Sequence, residues 1–278
     1  MAVSAKVADR ITTQLKPYQA ILNQALQRDV SESDTCRIIS DMLSDVFGYN
    51  KYEHVTTEHS IRGTFVDLAV QVDDDVRFLI EVKAIGVPLK DGHVKQAIDY
   101  GANKGVEWIV LTNGAIWRVY KIIFAQPIDK ALICEVDILA LSNRSPEILE
   151  CFGNLSKEGF SKGSMSDLLH QKQITSKFAL ASVLLSDSLV EELRRELRRL
   201  SPGLRVESEW LRTTLADQVI KRELIDSDDA QTAQSALKRL MRAQTREKNR
   251  KAAGSNGNAA EATGESLEGN TEQEAAVE

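Results

Sequence analysis

Residues 64–84 read TFVDLAVQVDDDVRFLIEVKA, and more of the fold can be predicted from them than from any other stretch. Two runs rich in β-branched and apolar residues, 64–72 and 76–83, flank a turn of three consecutive aspartates. This arrangement predicts two antiparallel strands joined by a tight polar turn. The second run is almost continuously apolar, which is typical of a central strand buried on both faces.

Charged residues interrupt these two strands at positions that the hairpin would bring together. The turn places Asp67 near Glu81, and because alternate strand residues share a face, Glu81 and Lys83 point the same way. Buried charges are costly unless they pair or hold a cation, and carboxylate oxygens suit Mg²⁺. The pattern therefore indicates a magnesium site for phosphodiester chemistry, with Lys83 supporting the reaction. The alternative is a solvated ion pair at a strand end.

The surrounding sequence predicts an α/β fold in which a mixed sheet is flanked by helices. Thr112-Asn113-Gly114 is a strong hairpin signal between two of the later strands. Beyond residue 144 the pattern is helical, with arginines and glutamates interleaved along 186–200. The predicted elements are helices within 1–48, strands at 52–61, 64–72 and 76–83, a helix at 92–104, strands at 108–111, 116–123 and 131–136, and helices at 146–152, 166–173, 186–200, 208–220 and 228–242.

Composition divides the chain into three predicted parts: a sheet domain at 1–144, a helical C-terminal region at 145–252, and an acidic tail at 253–278. The tail holds six glutamates and neither lysine nor arginine, so it accounts for the whole net charge of −6. Its small and polar composition predicts disorder. The rest of the chain is formally neutral, so the acidic total does not argue against a polyanionic partner.

Cysteine use and hydropathy indicate the compartment. The three cysteines, Cys36, Cys134 and Cys151, show no C-x-x-C spacing, and we expect them to be reduced packing residues rather than a disulfide framework or a zinc site. No apolar run approaches the ~18 residues of a membrane span, and the N-terminus lacks a signal-peptide core. We therefore expect a cytoplasmic protein with no membrane partner.

The motif Asp67…Glu81-Val82-Lys83 resembles the signature of the PD-(D/E)XK nuclease superfamily, and QAIDY at 96–100 resembles the QxxxY element of one of its branches. The stretch from about 34 to 121 is similar to the nuclease domain at the N-terminus of the R (motor) subunit of type I restriction enzymes. The similarity lies in the segments TTEHSIRGTFVDLAV, FLIEVKAIG and QAIDYGANKGVEWIVLTNGAIWRVYKI. It covers about a third of the chain.

The resemblance implies a restriction-endonuclease-like fold around one metal site that holds Mg²⁺, for which Mn²⁺ can substitute. By this likeness Asp67, Glu81 and the carbonyl of Val82 would be metal ligands, and Lys83 the catalytic lysine. A glutamate on the first core helix completes the site in many members. Glu32 matches that glutamate by order and spacing.

Two further groups are candidates for contact with DNA. Gln96 and Tyr100 lie four residues apart on one helix face, where they could contact the site, the scissile phosphate or the DNA backbone. Their alternative role is to cap the sheet edge. The stretch 238–251 is rich in lysine and arginine and contains few acidic residues, which predicts nucleic-acid binding. The alternative is that it is only a solvent-exposed helix end. Its candidate residues are Lys238, Arg239, Arg242 and Arg246.

The sequence thus predicts a divalent-metal-dependent DNA nuclease that acts in prokaryotic restriction or antiviral defence. The alternative is a non-catalytic module of the same fold that binds nucleic acid or a partner protein, and RNA is a further possible substrate. No G-x-x-x-x-G-K-[ST] phosphate loop occurs, so ATP-driven translocation must either come from another protein or be absent. The leucine stripe at 189–200 could support a homodimer or close the C-terminal core.

Overall fold

The computed structural model describes residues 3–61, 64–124, 126–235 and 237. None of the helices in this part of the chain combines the length and apolar character that a membrane crossing requires. The elements are α1 (Ala5–Gln27), α2 (Glu32–Asp45), β1 (Val55–Ile61), β2 (Thr64–Val72), β3 (Asp75–Val82), a 3-10 turn (Asp91–Val94), α3 (Lys95–Lys104), β4 (Trp108–Thr112), β5 (Ile116–Ile123), β6 (Asp129–Asp137), α4 (Pro146–Leu155), α5 (Lys157–Ser161), α6 (Ser164–Ile174), α7 (Lys177–Leu184), α8 (Asp187–Leu200), α9 (Ser208–Thr214), a π-helical turn (Leu215–Val219), α10 (Glu223–Asp226) and a helical stretch at 228–235.

The strands of the described residues form one mixed sheet in the order β1-β2-β3-β4-β5-β6. β3 and β4 are parallel, and every other neighbouring pair is antiparallel. Parallel neighbours need a crossover connection, and the 3-10 turn and α3 form it. The predicted α/β fold with a mixed sheet is therefore confirmed.

β3 separates two apolar cores. Phe78, Ile80 and Val82 face the cluster that packs against α1 and α2, and Leu79 faces the cluster on the α3 side. All four side chains are fully buried. Because strand side chains alternate between faces, burial on both sides requires apolar residues at consecutive positions. This confirms the prediction of a central strand.

Arg10 on α1 ties together three segments around the C-terminal end of α2. Its guanidinium donates hydrogen bonds to the carbonyls of Val46 (3.1 Å) and Phe47 (3.2 Å). It also pairs with the carboxylate of Glu158 at 2.6 Å. Cations are favourable at a helix C-terminus, where carbonyl groups lack helical partners. Arg10 therefore holds α2, which carries Glu32, against α1.

Replacing Arg10 by methionine should lower the free energy of unfolding by about 2 kcal/mol, because two carbonyls and one carboxylate lose a charged donor. Urea denaturation measures the change. Arg37→Met is the matched control, since the Arg37 side chain is 78% exposed and lies 3.8 Å from Asp34. The control should change stability by less than about 0.5 kcal/mol. Equal effects of the two substitutions would contradict the anchoring role of Arg10.

The same contact predicts a pH dependence of stability. The hydrogen bond from Arg10 lowers the pKa of Glu158, whereas a glutamate in the unfolded chain has a pKa of about 4.3. The contribution of Glu158 to stability is therefore present above that value and is lost as the pH falls through the lower folded pKa. Denaturation of wild type and Glu158→Gln across this range should show a difference at neutral pH that shrinks in acid. A difference independent of pH would contradict the prediction.

The described residues divide into two compact units, one ending at residue 172 and the other beginning at residue 173. Within the first unit α4 packs against α1 and β6. Ile148, Phe152 and Leu155 of α4 are fully buried in the core that β3 and α1 share. The helices that follow the sheet therefore complete the first unit. The predicted tail at 253–278 lies outside the described residues.

The prediction that all three cysteines are reduced packing residues was wrong. Cys134 on β6 and Cys151 on α4 form a disulfide, of which Cys36 is not part. The two partners are 17 residues apart in sequence. They meet because α4 packs on β6, a tertiary contact that the cysteine spacing does not indicate.

The described part of the second unit, residues 173–235 and 237, is mainly helical. Within it α8 packs against α9 and α10 against α7. On α8 the interleaved charges form pairs one turn apart, including Arg194–Glu191 at 2.7 Å and Arg199–Glu196 at 2.7 Å. This is the helix-stabilising pattern that alternating arginine and glutamate favour.

Candidate functional site

The candidate site lies at the carboxyl end of β3. The antiparallel register of β2 and β3 pairs Leu68 with Ile80. One step further along, the Oδ2 atom of Asp67 accepts a hydrogen bond from the backbone N–H of Val82 at 2.7 Å. The hairpin therefore brings the carboxylate of Asp67 to the end of β3, near Glu81, as the sequence motif predicts.

Lys83 lies at the centre of the cluster. Its Nζ atom is 2.9 Å from Oε1 of Glu81 and donates to the carbonyl of Val82 at 2.7 Å. Nζ is also 3.4 Å from Oε2 of Glu32, which lies in the first turn of α2. The structure thus brings together Asp67, Glu81, the Val82 carbonyl, Lys83 and Glu32. Their roles in catalysis and metal binding stay predictions.

Backbone contacts hold the cluster in place. The N–H of Lys83 donates to the carbonyl of Thr112 at 2.8 Å, which continues the pairing between β3 and β4. The Val82 side chain is fully buried in the core on the opposite face. The N–H of Ile85 donates to Oγ1 of Thr35 on α2 at 3.2 Å. The end of β3 is therefore fixed against β4 on one side and α2 on the other.

The electrostatics of the cluster reflect an excess of negative charge. Burial, with the charges of Asp67 and Glu32, raises the pKa of Glu81 despite the hydrogen bond from Lys83. Burial alone would lower the pKa of Lys83, but Glu81, Glu32 and Asp67 outweigh it and the pKa of this ammonium is raised. Three carboxylates thus surround one ammonium. Such a partly buried arrangement favours additional positive charge.

The oxygens of the cluster are carboxylate and carbonyl oxygens, which are the ligand type that hard divalent cations prefer. In the described part of the chain, however, no group of three or more His, Cys, Asp or Glu side chains is arranged to hold a metal ion. The oxygens of Glu81 and Val82 instead contact the Lys83 ammonium. The described arrangement is therefore that of an internal ion pair whose oxygens are of the type that magnesium prefers.

The structure does not place Gln96 and Tyr100 in similar environments. Gln96 is exposed at the start of α3, whereas Tyr100 is 5% exposed and packs in the apolar cluster on that side of the sheet. Burial raises the pKa of Tyr100. Tyr100 also lines a cavity of about 440 Å³ with Asp74–Arg77. That cavity is at the start of β3, the opposite end of the strand from Glu81.

The basic residues predicted to bind nucleic acid, Lys238, Arg239, Arg242 and Arg246, lie outside the described residues. Their role stays a prediction.

Two polar residues next to the site were missed by sequence reasoning. Thr35 is fully buried and contacts the segment that follows Lys83. Asn113 donates to the carbonyls of Ile85 (3.3 Å) and Val87 (3.0 Å), so it holds the same segment from the β4–β5 turn. The turn signal identified Asn113 as a hairpin residue, but no local pattern indicates which distant carbonyls its side chain binds.

Fold and site together define an α/β domain with an acidic cluster and a lysine at the end of its central strand. Residues 36–127 match the family model of the type I restriction enzyme R protein N terminus (HSDR_N). The match includes Asp67, Glu81 and Lys83, and it confirms the resemblance seen in the sequence. The chain therefore contains a domain related to that family over about a third of its length. No curated protein and no solved structure matches the chain.

Proposed function

We propose that this protein is a divalent-metal-dependent DNA nuclease that hydrolyses phosphodiester bonds in restriction of foreign DNA. The observation that carries the proposal is the acidic cluster at the end of β3: Glu81 and Glu32 contact Lys83, and Asp67 binds the adjacent Val82 N–H. Asp67, Glu81 and Lys83 lie within the restriction-enzyme-related segment 36–127. A strand end that served the fold alone would not need three carboxylates around one ammonium, because burying charge is costly.

In this proposal Asp67, Glu81 and the carbonyl of Val82 hold Mg²⁺, with Glu32 completing the set and Mn²⁺ able to substitute. The bound ion would polarise the phosphodiester and lower the pKa of a bound water. Asp67 would also have a structural role, since its Oδ2 atom accepts a hydrogen bond from the Val82 N–H at the end of β3. The same carboxylate would therefore bind the metal and hold the strand that carries the other ligands.

Lys83 supplies positive charge and N–H donors beside these oxygens. Its ammonium is within hydrogen-bond distance of Glu81 and of the Val82 carbonyl. A phosphate brought to the cluster would meet those donors where negative charge develops during hydrolysis. Preorganised charge of this kind supplies a large part of many catalytic rate enhancements.

The proposal is tested by incubating the purified full chain with plasmid, linear duplex and single-stranded DNA, with Mg²⁺, with Mn²⁺ or with a chelator. We expect breakdown of DNA that requires the divalent ion. A parallel preparation of an Asp67 variant excludes a contaminating nuclease, and an RNA sample tests the other polynucleotide. No divalent-dependent breakdown of any substrate would refute the proposal.

A second candidate is a non-catalytic module of the same fold that binds nucleic acid. The observation that favours it is the ion pair itself, because Lys83 already neutralises part of the acidic cluster without a metal. Such a module should shift DNA in a gel with chelator present and leave the DNA intact with Mg²⁺. The same assay therefore distinguishes the two functions.

A further inference from the structure

We infer that Thr35 is a positioning residue that sets Glu32 against Lys83, an inference that deepens the proposed function and rests on it for its catalytic meaning. Thr35 lies on α2 one turn after Glu32, and its side chain is fully buried. Residues 32 and 35 belong to the same helical turn, and the backbone hydrogen bonds of a helix fix the residues of one turn relative to each other. The position of Thr35 therefore determines where the Glu32 side chain leaves the helix.

The hydroxyl of Thr35 both donates and accepts a hydrogen bond. It donates to the carbonyl of Ser31, the N-cap of α2, at 2.9 Å, and it accepts from the N–H of Ile85 at 3.2 Å. A hydroxyl has one donor and can accept at the same time, so one oxygen connects the first turn of α2 to the strand extension. Ile85 follows Lys83 by two residues and is 2% exposed.

This connection joins the two sides of the ion pair. Glu32 and Lys83 are 51 residues apart in sequence, and their side chains meet at 3.4 Å. Glu32 is about half exposed and Lys83 is 18% exposed, so the contact of the two flexible side chains is weak by itself. The buried Thr35–Ile85 hydrogen bond fixes the backbones from which both side chains extend.

The matched variants are Thr35→Val, which keeps the branched shape and removes the hydroxyl, and Thr35→Ser, which keeps the hydroxyl. Ser156→Ala is the structural control, because Ser156 is also fully buried, donates to the carbonyl of Gly153 at 2.7 Å and accepts from the N–H of Gly159 at 3.2 Å. It therefore loses the same two kinds of hydrogen bond as Thr35→Val, at a place away from the cluster.

The first measurement is independent of catalysis and of metal. An amine-reactive reagent labels the folded protein, and peptide mass spectrometry gives the labelling rate of Lys83 relative to Lys121. Lys121 is an internal reference, since it is 24% exposed and pairs with Glu107 at 3.2 Å. We expect this ratio to rise at least threefold in Thr35→Val and to stay at the wild-type value in Thr35→Ser and Ser156→Ala.

The second measurement is Mn²⁺ affinity and cleavage rate at a temperature where all variants are folded. We expect Thr35→Val to weaken Mn²⁺ binding and to lower kcat about tenfold with the KM for DNA unchanged, and Thr35→Ser to restore both. A labelling ratio unchanged in Thr35→Val, or raised equally in Ser156→Ala, would overturn the inference. A raised ratio in a protein that cleaves no DNA would support the positioning of Lys83 while refuting the proposed function.

Discussion

Replacing Asp67 by asparagine is expected to lower the rate of magnesium-dependent DNA cleavage at least about 1000-fold while the protein stays folded. A loss of this size corresponds to about 4 kcal/mol of transition-state stabilisation. The asparagine side-chain oxygen can still accept the hydrogen bond from the Val82 N–H, which Asp67 accepts at 2.7 Å. The substitution therefore removes the negative charge and keeps the strand contact.

Steady-state cleavage of a labelled duplex measures the rate, and thermal denaturation checks the fold. Asp75→Asn is the matched control, because Asp75 lies in the same hairpin but at its turn, where it pairs with Arg77 at 3.5 Å. The control should cleave at the wild-type rate. Asp67→Ala should also be inactive and in addition less stable, since it leaves the Val82 N–H without this acceptor. An Asp67→Asn protein that cuts DNA as fast as wild type would refute the proposed mechanism.

Replacing Lys83 by methionine is expected to abolish cleavage and at the same time to tighten the binding of Mn²⁺. The Lys83 ammonium contacts Glu81 at 2.9 Å and the Val82 carbonyl at 2.7 Å, which are two of the proposed ligands. Removing it leaves these oxygens available to the ion. In chelator the variant should be less stable by about 3 kcal/mol, because the Glu81 side chain is 10% exposed and loses its cation.

Calorimetric titration with Mn²⁺ and thermal denaturation with and without the ion check this prediction. Saturating Mn²⁺ should stabilise Lys83→Met more than wild type, since binding to the folded state alone raises stability. The control is Lys51→Met, which removes a lysine paired with Asp41 at 3.0 Å on the surface. Unchanged Mn²⁺ affinity in Lys83→Met would mean that the ammonium and the ion do not compete for the same oxygens.

Much of the sheet could be predicted because its strands carry local signals. The apolar run of β3 indicated burial on both faces, and Thr112-Asn113-Gly114 indicated the β4–β5 hairpin. The hairpin between β2 and β3 was also predicted, but the juxtaposition of Asp67 and Glu81 needs the register shift between Val70 and Gln71 as well. The pairing of Val72 with Asp75 at the turn, continued without that shift, would place Asp67 opposite Ile80. Strand burial and the two turns depend on residues close together in sequence, and local pattern is sufficient for them.

The features that local pattern missed all involve distant segments. The Cys134–Cys151 disulfide follows from the packing of α4 on β6. Tyr100 shares a helix face with Gln96, yet it packs in the apolar cluster and lines the cavity at the start of β3. Helical spacing indicates which residues share a face, but not which part of the sheet that face covers.

By itself the sequence determined the β2–β3 hairpin, the buried central strand and the side on which Glu81 and Lys83 lie, since these depend on period-two alternation and a short turn. Only the tertiary structure decided that Glu32 approaches Lys83 at 3.4 Å and that Thr35 joins α2 to the end of β3. Those contacts connect residues about 50 positions apart, and they exist because α2 packs on one face of the sheet. Packing of that kind depends on the shape of the whole core rather than on any local run of residues.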